Sequence, residues 1–141
     1  MKVVLCGSIS FLEEILRWER ELKGKGVDAI VPLAVKEIGK DPRTVMNYDE
    51  YIELKPKYIR DHYGKIADSD AILVVSGTKN GISGYLGGAT FAEVAIAYYM
   101  KKKIFFINPI PQGLPYTDEL LAFKPTVVRN AADILDGEGV L

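Results

Sequence analysis

Asp70-Ala71-Ile72-Leu73-Val74-Val75-Ser76 is the most apolar run of the chain. It is rich in β-branched residues, short, and bounded by Asp70 and Gly77, so it reads as a strand buried on both faces. Behind it lie residues 77–88, with five glycines at 77, 81, 84, 87 and 88. Thr90-Phe91-Ala92-Glu93 then has the form of a capping box, and Phe91, Val94, Ala95 and Tyr98 continue one helical face. Lys101–Lys103 are expected in the last turn of that helix, where positive charge suits its dipole.

The same grammar extends in both directions. Residues 2–6, Lys-Val-Val-Leu-Cys, form a β-branched strand ending at Gly7. Ser10-Phe11-Leu12-Glu13 is a second capping-box form, opening a helix carried by Phe11, Leu12, Ile15, Leu16, Trp18 and Leu22 and stopped by Gly24 and Gly26. Residues 27–31 form the next strand, closed by Pro32. Residues 32–57 open as a polar excursion, and a helix follows from about Asp49 to Ala67, with a kink expected at Pro56. Downstream come a strand over 103–107, a short helix over 118–123, a strand over 126–129 and a final helical turn over 131–135.

This β-α-β-α-β-α-β-α-β-α pattern predicts one α/β domain over residues 1–141, a three-layer sandwich of the flavodoxin-like or Rossmann-like kind. Right-handed crossovers give a five-stranded parallel sheet in the order 2-1-3-4-5. Ligands of such sheets bind beyond the carboxyl ends of the strands at the switch point. That rule selects residues 7–10, 77–93 and 108–111.

Composition narrows the class. The chain has 141 residues, 48% of the hydrophobic class and 26% charged, the proportions of a globular domain. Eighteen Lys+Arg against nineteen Asp+Glu gives a formal net charge of −1, which lacks the basic excess of a nucleic-acid binder. No apolar run approaches the roughly 20 residues of a membrane span, and the N-terminal apolar run is too short for a signal peptide. One cysteine, Cys6, and one histidine, His62, cannot by themselves build a Cys/His zinc site, so no metal and no cofactor is expected. A cytoplasmic enzyme or small-ligand protein is the default.

Three segments carry candidate chemistry. Gly7-Ser8-Ile9-Ser10 offers backbone N–H groups and two hydroxyls at a helix start, suited to a phosphate or sugar, or else a plain turn with a cap. Gly-x-Gly-x-x-Gly is absent at this turn, and no Gly-Lys-Ser/Thr occurs. The glycines of residues 77–88 imply special backbone geometry or close approach to a ligand, against a flexible surface loop. Glu93 is the pivot: either the capping partner of Thr90, or a carboxylate at the mouth of the sheet able to attack a sugar anomeric carbon. Cys6 reads as core. Tyr48, Tyr51, Tyr58 and Tyr63 read as packing residues, one of which could stack on a base.

At these residues the sequence resembles the nucleoside 2-deoxyribosyltransferase-like superfamily. Val4-Leu5-Cys6-Gly7-Ser8-Ile9 is similar to the opening of the deoxynucleoside 5′-monophosphate N-glycosidases. Residues 67–75 leading into the glycine loop, and Gly88-Ala89-Thr90-Phe91-Ala92-Glu93 followed by Lys103-Ile104-Phe105, carry the rest. The likeness spans most of the chain and is weakest at 33–57. It implies N-glycosidic bond cleavage or transfer on a nucleoside or nucleoside 5′-monophosphate, with Glu93 as nucleophile. It also implies a homodimer or larger homo-oligomer in which a neighbouring subunit closes the site. Gly7 and Ser8 would line the sugar or the 5′ end, Gly87 and Gly88 the 5′ group, and Ser10, Asp70, Gly84 and Asn108 would complete the substrate-binding set.

The sequence departs from the family at one place. Members often carry an Asp eight residues before the strand-opening Asp. Here that place holds His62, with Asp61 one residue earlier, about 100° away around a helix. Asp61 and His62 are therefore both candidates for the proton-handling role. The departure also leaves a non-catalytic nucleotide-binding or sensory module as the alternative, with a flavodoxin-like FMN carrier as a third reading.

Overall fold

The structure is a computed structural model describing residues 1–136; of the expected domain, 137–141 lie outside the described residues. Five strands form the central sheet: β1 (Lys2–Cys6), β2 (Asp28–Ile30), β3 (Ala71–Val74), β6 (Lys103–Phe106) and β7 (Thr126–Val127). Their order is β2-β1-β3-β6-β7 and every pairing is parallel. In main-sheet numbering this is 2-1-3-4-5, as the element pattern predicts.

Both faces of the sheet are covered, which is why its strands are continuously apolar. Val3 and Leu5 pack with Ile15, Trp18 and Leu22 of helix α1 (Leu12–Gly24) and Ile134 of α6 (Ala131–Asp136). Val4 and Cys6 face the other way, onto Ile66 of α3 (Tyr48–Ala67), Val94 and Ala97 of α4 (Gly88–Tyr99) and Leu120 of α5 (Thr117–Phe123). Val3 to Cys6 and Ala71 to Val74 are all fully buried. Each large aliphatic side chain so enclosed stabilises the fold by about 1.5–3 kcal/mol relative to exposure.

Several local expectations are corrected. Ser10 does not cap α1: Ser8 accepts the Ser10 N–H at 3.2 Å and starts a one-turn 3₁₀ helix, Ile9–Phe11, from which α1 continues. Thr90 does not cap α4 either. That helix starts at Gly88 behind the extended Gly87, with no side-chain cap, and Thr90 is buried. Glu93 therefore lies in the second helical turn and is released from any capping role. Lys101–Lys103 fall beyond the end of α4, and Lys103 opens β6.

The polar excursion folds into short helix α2 (Leu33–Glu37) and a 3₁₀ turn, Pro42–Thr44. Lys57 of α3 bonds Glu37 of α2 at 3.0 Å. The capping box that does form is at α3. Asn47 Oδ1 accepts the Glu50 N–H at 2.9 Å and Glu50 Oε1 accepts the Asn47 N–H at 3.3 Å. The helix runs unbroken across Pro56.

The glycine segment contains an antiparallel hairpin, β4 (Gly77–Lys79) and β5 (Ile82–Tyr85). Its turn residues Asn80 and Gly81 have φ of 54° and 73°, as a two-residue hairpin turn of the primed type requires. Gly84, at φ 71°, lies so close to the β6–α5 connection that a Cβ would stand 2.7 Å from the Pro109 carbonyl oxygen.

These two glycines give a test of the hairpin's docking. Gly81→Ala meets nothing within 4 Å and should cost only the left-handed backbone penalty, about 1–2 kcal/mol. Gly84→Ala adds a collision with backbone and should lower the urea midpoint distinctly further. Equal effects of the two substitutions would show that the hairpin does not pack on residue 109.

Candidate active site

A cavity of about 320 Å³ opens beyond the carboxyl ends of β1 and β3, where the sheet topology changes direction. The β1 edge of its floor ends at Gly7. A Cβ there would sit 2.5 Å from the Val75 carbonyl oxygen, so only glycine lets the two strands close at this point. Ser8 follows in the wall, and Gly87 and Gly88 bring the start of α4 to the other side.

Three titratable groups, two buried and one half-buried, converge in this region, each from a different element. Cys6 ends β1, His62 comes from α3 and Glu93 from α4. The His62 Nε2 lies 3.4 Å from Cys6 Sγ and 3.8 Å from Glu93 Oε1. His62 is 4% exposed, and the Glu93 side chain is 18% exposed, opening onto the cavity. Among the described residues, this is the one place where three Cys, His or acidic side chains bring donor atoms within 4.8 Å of one another.

Burial dominates the electrostatics. It pushes the Glu93 carboxyl up to about 8, opposed by a hydrogen bond from Cys6 and by the Lys55 ammonium. It pulls His62 down to about 4, helped by the Lys65 ammonium and opposed by Asp61. It raises the Cys6 thiol well above its ordinary value, and the Glu93 charge raises it further. All three groups are therefore mainly uncharged at neutral pH.

The remaining expected site residues divide. Gly7, Ser8, His62, Gly87, Gly88 and Glu93 line the cavity. Asp61 does not line it; its carboxylate pairs with Lys65 at 2.7 Å. Ser10 supports Ser8, whose hydroxyl donates to Ser10 Oγ at 3.1 Å. Asp70 lies at the opposite, amino end of the sheet and accepts the Lys2 N–H at 2.7 Å. Asn108 Nδ2 donates to the Ser76 carbonyl at 3.0 Å and ties β6 to β3, while Gly84 serves hairpin packing.

Some lining residues escaped the sequence reading. Lys55 and Tyr85 are two, and the Asp41–Arg43 pair at 2.8 Å is another. Tyr51 and Tyr58, read as packing or base-stacking candidates, also line the cavity. The helical spacing Tyr51, Lys55, Tyr58, His62 was the available signal, since it sets all four on one stripe of α3.

No family model and no curated protein matches the chain. A solved 2-deoxyribosyltransferase from Bacillus psychrosaccharolyticus superposes with a TM-score of 0.64 at 12% identity, covering 100% of this chain and 93% of that one. The Clostridium botulinum CMP N-glycosidase aligns at 18% identity over 75% of this chain and 67% of that one, with a TM-score of 0.41. The first likeness establishes a shared fold and meets the architecture implied by the sequence resemblance. No helix among the described residues is long and apolar enough to cross a membrane.

The pKa displacements predict opposite stability trends. Glu93, raised from 4.5 to about 8, stays protonated in the fold while the unfolded chain ionises, so its contribution is lost as pH rises between those values. His62, lowered from 6.5 to about 4, costs stability as pH falls across that interval. Glu93→Gln removes only the first effect. Its unfolding free energy, relative to wild type, should therefore grow by a few kcal/mol from about pH 5 to about pH 8. A difference independent of pH would show that Glu93 is ionised in the native cavity.

Proposed function

We propose that the protein cleaves or transfers the N-glycosidic bond of a nucleoside or nucleoside 5′-monophosphate, with Glu93 as the nucleophile. The observation that carries this reading is a carboxyl group free of any capping role, half-buried and facing the cavity at the sheet's switch point. The cavity has the volume of a small-ligand site. Tyr51, Tyr58 and Tyr85 supply aromatic surface for a base. Gly7, Ser8, Gly87 and Gly88 present backbone to a sugar and its 5′ end. The fold shared with a 2-deoxyribosyltransferase supports the same assignment.

A Glu93 oxygen attacks C1′, an ester forms, and the electron pair of the C1′–N bond leaves with the base. The leaving base must gain a proton, and Glu93 must lose one to attack. The neutral resting carboxyl closes this balance: carboxyl plus nucleoside gives glycosyl ester plus neutral base. Water, or a second base, then attacks C1′ and restores the carboxyl. His62 remains uncharged and packs beside Glu93 at 3.8 Å, so it adds no positive charge beside the oxocarbenium-like centre. Asp61, held by Lys65, takes no part. A second copy closing the cavity belongs to the same reading, supported by Tyr48, Ile52 and Ile59 exposed on α3.

The alternative is a nucleotide-binding module without turnover, favoured by His62 standing where the family carries Asp. A panel of ribo- and deoxynucleosides with their 5′-monophosphates, assayed for free base by chromatography, separates the two. Base release from at least one member is expected, and a new nucleoside should appear when a second base is supplied. Glu93→Gln should stay folded and lose release by about a thousandfold or more. Thermal stabilisation by a ligand with no release from any member would favour the module instead. Near-wild-type turnover in the folded variant would remove Glu93 as nucleophile.

A further inference from the structure

We propose that Cys6, His62 and Glu93 form a binding site for one borderline-soft divalent cation of the zinc class, and that a bound ion holds Glu93 out of reaction. The inhibitory half rests on the nucleophile reading above; the binding half does not. One cysteine and one histidine fall short of a zinc site, but the fold adds a carboxylate as third ligand. Thiolate, imidazole and carboxylate are together a ligand set for Zn²⁺ or Co²⁺ rather than for Mg²⁺ or Ca²⁺.

The spacing fits. Zinc bonds of about 2.0–2.3 Å in tetrahedral geometry set neighbouring donors about 3.3–3.6 Å apart. The observed separations are 3.4 Å from Sγ to Nε2 and 3.8 Å from Nε2 to Oε1, with the Cys6 Sγ and a Glu93 oxygen within 4.8 Å of each other. Closing the second gap takes a few tenths of an ångström, within reach of a glutamate rotamer adjustment. The ligands stand on a strand end and two helices, all anchored in the core, so the constellation is held by rigid elements. Glu93 also faces the cavity, which leaves a fourth position open to water or another small ligand.

Binding would release the thiol proton of Cys6 and any proton on Glu93 to solvent. The positive charge of the ion would balance the thiolate and carboxylate so formed in a site with little water to solvate them. The site is not built for permanent occupancy. His62 Nδ1 is buried without a well-aligned hydrogen-bond partner, the Leu5 carbonyl offering the ring at most a weak acceptor, whereas ligating histidines ordinarily hold that N–H firmly on a carboxylate or carbonyl. Lack of such a partner weakens metal sites by about 10–100-fold. The geometry therefore points to reversible capture, in which the ion ties up the carboxylate oxygen that would otherwise attack C1′.

Cobalt reports on this without any substrate. Reduced, chelator-treated protein titrated with Co²⁺ should develop thiolate-to-cobalt charge-transfer absorption and visible bands of tetrahedral intensity. The end point should be one ion per chain, and Zn²⁺ should bleach the signal. Cys6→Ser should abolish the charge-transfer band, and His62→Asn should weaken binding by about tenfold or more, with folding of each checked by circular dichroism. In the base-release assay Zn²⁺ should suppress wild-type turnover reversibly, a chelator should restore it, and whatever activity Cys6→Ser retains should be insensitive to Zn²⁺. Absence of the charge-transfer band in wild type, or a zinc affinity by calorimetry unchanged in folded Cys6→Ser, would overturn the site. A cobalt spectrum with no base release from any substrate would keep the ion site and sink the nucleophile; release untouched by saturating zinc would overturn the inhibition.

Discussion

Everything at the candidate site depends on how closely β1 and β3 approach at their carboxyl ends. Cys6 pairs with Val74 in register, and the Val75 N–H donates to the Cys6 carbonyl at 2.8 Å. One residue further, Gly7 leaves no space for a side chain against Val75. This closure forces the chain to turn at Gly7 into the one-turn 3₁₀ helix, which opens the cavity. It also sets the Cys6 side chain on the α3–α4 face, because alternation along β1 sends Val4 and Cys6 to one side and Val3 and Leu5 to the other. A looser strand pairing would scatter the three groups that meet there.

The sheet was readable in the sequence because a strand buried on both faces has to be apolar at every position, and few other short elements are. Residues 71–75 carry that signature without ambiguity. The capping boxes misled for a definite reason. Ser/Thr-x-x-Glu describes a pair of hydrogen bonds, but the same letters arise when a hydroxyl is buried and a carboxylate faces a ligand. At residues 87–93 the two glycines begin the helix without a side-chain cap, which frees both Thr90 and Glu93. The hairpin was legible and passed over: Asn80-Gly81 is the strongest short signal for a primed turn, masked by the glycines around it.

The candidate site was half legible. His62 and Glu93 could be picked out by spacing from Asp70 and from the glycine loop. Cys6 could not, since a cysteine inside an apolar strand reads as core, and it is core on every side except one. Its proximity to His62 spans 56 positions of sequence, and no local pattern encodes that. Asp70 and Asn108 fall outside the cavity lining for the related reason that local pattern does not say which way a side chain is committed. Asp70 faces the amino end of the sheet, and Asn108 is consumed by Ser76.

A histidine rather than a carboxyl beside Glu93 has a physical logic. A carboxyl in that place would stand within a few ångströms of Glu93, and two such groups sharing one buried site split their titrations and compete for a proton. A histidine kept neutral by burial removes the competition. The proton then resides on Glu93 itself, and the glycosyl transfer proposed above needs a proton to depart with the base at the moment that carboxyl turns into an ester. Lys55, whose ammonium favours the ionised carboxylate, lies on the same stripe of α3 as His62. One helix thus carries both the group that crowds Glu93 in the resting state and the charge that favours its ionised form.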